Sequence, residues 1–230
     1  MYRSFFKRLI DIAVSFVGLT VLSPVMALLA ALVRLTSPGP AFYTQLRAGQ
    51  HGRPFRLVKF RSMVVNAEHM GARYGMEKND PRITRLGRFL RASSLDELPQ
   101  LWNILIGEMS IVGPRPGLLY QAAGYSEEQA RRLTVKPGVT GWAQVHGRNE
   151  IPWSKRIELD LWYVDNMSFA LDLSIVLRTI IVVVSRSGVR QDQPASDVED
   201  FALAPVNHVD SGTSSQCDAR TDMQHEEVVS

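Results

Sequence analysis

Asp96 and Glu97 stand side by side in Arg91-Ala92-Ser93-Ser94-Leu95-Asp96-Glu97-Leu98-Pro99, at the head of an apolar run that ends shortly before Gly113-Pro114-Arg115-Pro116. Two neighbouring carboxylates bracketed by Arg91 and Arg115 have the makings of a phosphate-handling site. Unpaired N–H groups and the positive end of the macrodipole at a helix start favour an ionised carboxylate, and they attract a phosphoryl group to the same place. An ionised Asp96 placed there could attack phosphorus or hold a metal. The same residues also fit a capping box, with Ser94 as the cap and Glu97 three residues on. Pro99 is comfortable only in a first turn and pulls the helix start toward Leu95 or Asp96. Spacing alone leaves capping and chemistry both open.

The surroundings favour chemistry on an anion. Lys59-Phe60-Arg61-Ser62-Met63, Arg82, Arg85, Arg88, Arg91, Gly113-Pro114-Arg115-Pro116 and Lys136-Pro137-Gly138-Val139-Thr140-Gly141-Trp142-Ala143-Gln144 place cations beside turn-forming residues through the middle of the chain. Arginine binds phosphate oxygens bidentately, and glycine lets backbone N–H groups approach an anion. Arg82, Arg85 and Arg88 at helical spacing also fit a plain solvated face. A glycosidase would use its carboxyls from opposite sides of a bond, roughly 5–10 Å apart, whereas residues i and i+1 project from one turn and suit a single nucleophile-plus-metal cluster better.

These residues need a scaffold, and 230 residues at 45% hydrophobic content can fill one domain. The net charge of +3 conceals an asymmetry: residues 1–189 carry 24 Lys and Arg against 14 Asp and Glu, while residues 190–230 carry 2 against 9. A basic body suits anionic lipid headgroups and anionic substrates. Nucleic acid, the rival polyanion, is set aside because no helix-turn-helix, zinc-finger or RNA-binding signature accompanies the charge. Cys217 is the sole cysteine, so no intrachain disulfide and no cysteine metal site can form.

Leu9 to Val33 is long enough, at roughly 37 Å of helix, to span the roughly 30 Å hydrocarbon core. Ser23-Pro24 interrupts it, since proline lacks a donor and clashes with the carbonyl of Thr20. Arg3, Lys7 and Arg8 precede it and Arg34 and Arg47 follow, so both ends prefer the cytoplasm. Only a chain that turns back satisfies both, with Asp11 at headgroup depth. A secretory signal is disfavoured by the length of the run and the lack of a cleavage site.

Residues 40 to 65 alternate around Gly49 and Gly52 as a hairpin. Residues 64 to 75, 83 to 92, 96 to 106, 126 to 134 and 152 to 165 read as helices. Leu171 to Val184, interrupted by Asp172 and Arg178, is too short to span and reads as a buried or interfacial helix. From about Gln191 the chain is rich in Ser, Asp and Gln with no hydrophobic period, as in a disordered tail. The expected fold is mostly helical α/β, a membrane-surface domain with a few short strands.

The chain resembles the bacterial sugar transferase family, the monotopic phosphoglycosyl transferases. The resemblance rests on the apolar segment broken at Ser23-Pro24, Ser37-Pro38-Gly39-Pro40-Ala41-Phe42-Tyr43, Lys59-Phe60-Arg61-Ser62-Met63, Ser94-Leu95-Asp96-Glu97-Leu98-Pro99-Gln100-Leu101-Trp102-Asn103, Gly113-Pro114-Arg115-Pro116, the Lys136 to Gln144 motif and Asp160-Leu161-Trp162-Tyr163-Val164, in the family's order over about residues 1 to 190. It looks like the minimal catalytic form. The resemblance implies a re-entrant helix-break-helix hairpin over 1–36, a cytosolic transferase domain over 37–190 and the tail over 191–230. It further implies that Asp96 attacks the β-phosphorus of a UDP-sugar, giving a covalent aspartyl sugar phosphate that a polyprenyl phosphate, undecaprenyl phosphate, then takes up. Glu97 would hold Mg²⁺, and Lys59, Arg61, Arg91 and Arg115 would bind phosphate. The setting implied is the lipid bilayer of the bacterial inner membrane, on its cytoplasmic face. A non-catalytic membrane scaffold, with the acidic pair as mere capping, is the alternative alongside the glycosidase.

Overall fold

The computed structural model describes residues 2–67, 70, 80–147 and 151–185; the acidic segment 191–230 lies outside the described residues. A short π-helical turn, Tyr2–Phe6, leads into α1, Lys7–Thr36, a 30-residue apolar helix. A 30-residue helix is about 45 Å long, and α1 is apolar enough to cross a membrane, with a mean hydropathy of 2.4 over its most apolar stretch. Its flank shows Leu9, Phe16, Val17, Val21, Leu28 and Leu35 to the surroundings. So large an apolar surface fits lipid far better than water, and the protein is membrane-associated.

The face of α1 toward the body is polar in its first half and apolar in its second. Lys7, Asp11 and Ser15, four residues apart and so on one stripe, are all buried. Lys7 Nζ donates to Asp172 at 2.5 Å and to the Tyr163 hydroxyl at 3.3 Å. Asp11 accepts from the Ile111 N–H at 3.0 Å and from Ser110 Oγ at 3.1 Å. The domain itself, and not the headgroup layer, supplies the partners of Asp11. Arg8 donates to the carbonyls of Ile104 and Leu105 at 2.6 and 2.8 Å. Farther along, Leu29 and Val33 join Phe60 and Leu90 in a core cluster.

Ser23-Pro24 does not interrupt the helix. α1 runs continuously through Pro24, because the carbonyl of Thr20 that proline cannot serve accepts the Ser23 hydroxyl at 2.8 Å instead.

The hairpin forms as expected, β1 Phe42–Ala48 against β2 Pro54–Phe60, antiparallel with Phe42 opposite Phe60. Phe55 and Leu57 alternate inward onto Ile104 and Met109. The helix expected over 64–75 does not begin there. Met63 bridges to Ile83 and Val64 N–H bonds the Arg82 carbonyl at 2.8 Å, so this stretch starts as extended chain; most of the remaining segment lies outside the described residues.

α2, Arg85–Ala92, is capped by Thr84 Oγ1, which accepts from Gly87 N–H. After a 3-10 turn, Leu95–Glu97, comes α3, Gln100–Ile106. β3, Ser110–Val112, pairs in parallel with β4, Gly138–Thr140. Between them lie the short α4, Leu119–Ala123, and α5, Glu127–Ala130. α6, Trp142–Val145, α7, Trp153–Asn166, and α8, Phe169–Ser185, close the body. Buried Ile175 of α8 packs with Val112, Tyr163 and Met167, while Phe169, Leu173, Leu177 and Ile181 stay exposed on its other face. α8 is thus apolar both where it packs on the body and where it faces outward, so its outer face is an exposed apolar surface. The mostly helical architecture with a few short strands agrees with the sequence reading.

Candidate active site

The site is built on a sharp corner. Ser94 adopts the left-handed conformation, φ 57°, and its side chain makes no capping bond. The capping-box expectation therefore fails, and Glu97 finds a different partner: Arg115 Nη2 donates to its Oε1 at 2.7 Å. A left-handed non-glycine residue is strained by about 1–2 kcal/mol. Here it turns the chain between α2 and the 3-10 turn, so that Arg91 and Asp96 line one cavity.

That cavity, of about 450 Å³, has Lys59, Arg91, Asp96, Glu97 and Arg115 among its lining residues. Its apolar wall includes Val14 of α1 and Val176, Ile180 and Val183 of α8. Arg132, Gln144, Trp153, Arg156 and Asp160 also line it. The electrostatics are unbalanced. Burial, reinforced by the Glu97 charge beside it, raises the Asp96 carboxyl to about 6, against the opposing pull of Lys59, Arg91 and Arg115. The helix start was expected to hold Asp96 ionised; desolvation pushes it the other way, although above pH 6 it still carries its charge. Burial and the neighbouring Arg91 lower Lys59 to about 8. Two carboxylates in mutual repulsion beside three cations form an arrangement that a polyanion and a divalent ion would each relieve.

Two sequence expectations fall here. Arg61 does not reach the cavity. Its guanidinium donates to the carbonyls of Ser37 and Pro38, both at 2.7 Å, and lies 3.5 Å from that of Val33, so it ties down the C-terminal end of α1. Gly39, at φ 113°, is required for this, since a Cβ there would come within 2.1 Å of an Arg61 nitrogen. The glycines of the Gly113 and Gly138 motifs do not cradle an anion either. A Cβ on Gly138 would meet Gly113 N at 2.1 Å, and one on Gly141 would meet Gly113 O at 2.3 Å. They let two backbone segments touch, and the contact, with Gly113 N–H bonded to Thr140 O and Gly138 N–H to Pro114 O, fixes the loop that carries Arg115. Arg82 is likewise structural, paired with Asp80 at 2.6 Å in the interior, whereas Arg85 and Arg88 are exposed as on a solvated face.

Sequence reasoning missed Arg132. Only 4% exposed, it pairs with Asp160, donates to the Tyr125 hydroxyl at 2.6 Å and holds the main-chain carbonyl of Arg115 at 3.0 Å. A signal existed in its partner: Ile157, Asp160 and Val164 fall on the buried stripe of α7, and a carboxylate on a core face announces a buried cation. Among the described residues no group of three or more His, Cys, Asp or Glu gathers as a metal site. The paired oxygens of Asp96 and Glu97 nevertheless fit Mg²⁺, which is commonly held by one or two carboxylates together with substrate phosphates.

A family model described as bacterial sugar transferase matches residues 2–186. The chain is 46% identical over 185 residues to "Uncharacterized sugar transferase EpsL" of Bacillus subtilis, covering 80% of this chain and 90% of that protein. It is 43% identical over 198 residues to "Undecaprenyl-phosphate galactose phosphotransferase" of Salmonella typhimurium, covering 80% of this chain and 41% of that protein. With "UDP-glucose:undecaprenyl-phosphate glucose-1-phosphate transferase" of Xanthomonas campestris it shares 45% identity over 188 residues, 78% of this chain and 39% of that protein. The match thus spans nearly all of the first relative and about two fifths of the two longer ones.

Proposed function

The chain belongs to the bacterial sugar transferase family, and from that premise we propose that it transfers a sugar 1-phosphate from a UDP-sugar to a polyprenyl phosphate, undecaprenyl phosphate, at the cytoplasmic face of the bacterial inner membrane, starting the assembly of an exopolysaccharide, O-antigen or other glycan. The observation that carries this reading is the single cavity in which Asp96 and three cations share walls with apolar residues of α1 and α8. A charged headgroup and a hydrocarbon tail could both be received there.

In the proposed reaction an Asp96 carboxylate oxygen attacks the β-phosphorus, and the bond from that phosphorus to the bridging oxygen breaks with its electron pair leaving on UMP. The sugar phosphate remains on Asp96 as an acyl phosphate. A polyprenyl phosphate oxygen then attacks the same phosphorus, and the bond to Asp96 breaks, restoring the carboxylate. Lys59, Arg91 and Arg115 stabilise the charge spreading over the phosphoryl oxygens. Glu97 would hold Mg²⁺, which when bound supplies further neutralisation of the diphosphate. Glu97 also keeps Arg115 turned toward the site through their 2.7 Å bond.

The topology belongs to the same proposal: residues 1–36 as a re-entrant segment whose two ends lie at one leaflet, its helix carried through Ser23-Pro24 without the expected break, and 37–190 as the cytosolic domain. Its support is that both ends of α1 are fastened to one body, the first by Lys7, Arg8 and Asp11 and the last by Arg61 and the Leu29–Val33 cluster. Single cysteines at Ser4 and Ser37, in a Cys217→Ser background, should both resist a membrane-impermeant thiol reagent until cells are permeabilised. Labelling of position 4 alone from outside would make α1 an ordinary spanning helix.

For the reaction, release of UMP from a UDP-sugar that depends on undecaprenyl phosphate is the deciding assay. A glycosidase would instead release free sugar with water alone, and a scaffold would do neither.

A further inference from the structure

α8 presents a face that the body leaves uncovered. Phe169, Leu173, Leu177 and Ile181 recur every fourth residue and so form one stripe along it, and they are 54, 48, 54 and 66% exposed. The first turns of α8 are fastened where α1 begins: Lys7 pairs with Asp172, and the rings of Tyr2 and Phe169 meet edge to face at 6.0 Å. Farther along, Val14 of α1 and Ile180 of α8, both exposed, border one cavity. The apolar stripe of α8 therefore continues the flank of α1 that fits lipid, and an exposed apolar surface of that extent marks a membrane-facing side.

The charges of α8 are Asp172, which is buried, and Arg178, which is exposed beside the stripe. The Arg178 guanidinium lies over the Trp142 ring, 5.3 Å from its centre, and Trp142 in turn stacks on the exposed Trp162 at 4.7 Å. His146 Nδ1 lies 2.8 Å from the Trp142 carbonyl. A carbonyl only accepts, so Nδ1 carries the proton and Nε2 is left to accept from Arg178 Nη1 at 3.0 Å. An indole and a neutral imidazole thus brace the cation, and among the described residues no carboxylate pairs with it. An arginine and tryptophans at the edge of an apolar stripe are groups that settle at headgroup level, the rings at the boundary and the guanidinium at a phosphate. We propose that the outer face of α8 lies along the bilayer that holds α1, and that Arg178, braced by Trp142 and His146, binds the phosphate of an anionic phospholipid there. The proposal rests on the membrane association of α1 and is independent of the transfer reaction. Lipid is favoured over a second copy of the chain because a partner docked on α8 alone would leave the adjoining flank of α1 bare, and because the one charge beside the stripe is a cation with donors to spare for phosphate.

The test places the full chain, with Cys217→Ser, in vesicles of mixed phosphatidylglycerol and phosphatidylcholine. One nitroxide at a time is attached to a cysteine at Leu173, Leu177 or Ile181, with Glu127, exposed on α5, as the reference in water. Spin relaxation by oxygen, which concentrates in lipid, is compared with relaxation by a water-soluble nickel chelate. All three stripe positions should show an oxygen-to-nickel ratio severalfold above that of the reference. Arg178→Gln should lower the ratio at Leu177 by up to about fivefold, the worth of one arginine at an anionic surface, and Arg178→Lys should keep most of it. Ratios on the stripe equal to the reference would mean that α8 faces water, and would overturn the proposal. Protection from both reagents would mean that protein covers the stripe, a second copy if the labels broaden one another, and would overturn it equally. A lipid-like stripe whose ratio at Leu177 ignores Arg178→Gln would remove the phosphate from Arg178.

Discussion

Among the described residues, the acids around Lys7 and the pair Asp96 and Glu97 differ in whether their charges are answered. Asp172 receives Lys7, the Tyr2 hydroxyl and the Tyr163 hydroxyl at 2.5, 2.6 and 2.7 Å; Asp11 receives a backbone N–H and a serine hydroxyl. The acceptor capacity around Lys7 is spent within the fold. Asp96 instead is raised by burial and by the Glu97 charge beside it, and Glu97 accepts from Arg115 at 2.7 Å. Both clusters combine buried acid with base. One is saturated and holds elements together, while the other holds a surplus of repulsion at the wall of a cavity, as sites for chemistry do.

The sharpest way to break this comparison is to neutralise one member of each. Asp96→Asn should lower UMP release by on the order of 10³ or more and eliminate the covalent sugar phosphate, with the melting temperature in detergent unchanged or higher, because a repelled charge is removed. Appreciable turnover by this variant would remove Asp96 from the nucleophile's role. Asp172→Asn should do the reverse. It strands a buried Lys7 and should destabilise the protein by about 3 kcal/mol, read as a fall in melting temperature, while the protein that remains folded turns over normally.

The arginines sharpen the comparison with a smaller effect. Arg91→Ala and Arg115→Ala should each reduce kcat/KM by roughly 10- to 1,000-fold. Arg61→Ala should instead destabilise, by about 2 kcal/mol, through the loss of its carbonyl contacts at the end of α1, and should leave kcat/KM of the folded fraction within a few-fold. Equal effects of Arg61 and Arg115 on kcat/KM at unchanged stability would put Arg61 back in the site.

The smallest effect is one of pH. With the Asp96 carboxyl raised to about 6, kcat/KM should fall as the pH drops through that value, since the nucleophile becomes protonated. With Lys59 lowered to about 8, it should fall again as the pH rises through 8 and the ammonium loses its charge, giving a bell. Glu97→Gln removes the repulsion and should move the acid limb of the residual rate downward. Asp172→Asn should move neither limb.

What the sequence disclosed follows the range of the forces involved. The hairpin was legible because its alternation and its glycines are local, and α7 because its apolar spacing is. Asp96, Glu97, Lys59, Arg91 and Arg115 could be picked out by residue type, and the structure does place all five on one cavity. Arg61 could not be separated from them, because an arginine that caps carbonyls and one that binds phosphate have the same local sequence; only the packing of α1 decides. Ser94 misled for the opposite reason: the capping pattern is local, but the corner joining α2 to the acidic turn dictates a left-handed residue there. The Arg132–Asp160 pair spans 28 positions, beyond any periodicity. The helix through Pro24 shows how one hydroxyl, also local, can cancel a break that proline alone predicts.

The stripe of Lys7, Asp11 and Ser15 also sets an order of events. Asp11 waits for residues 110 and 111, and Lys7 for Asp172, 165 positions later. At roughly 5–20 residues per second of synthesis, that interval is on the order of ten seconds or more. Throughout it the apolar part of α1 can already be in lipid, but its first two turns carry groups whose partners have not yet been made. They must stay wet until Asp172 arrives, so the growing protein can commit its first helix to the bilayer only shallowly, and the final depth is set once α8 has been made.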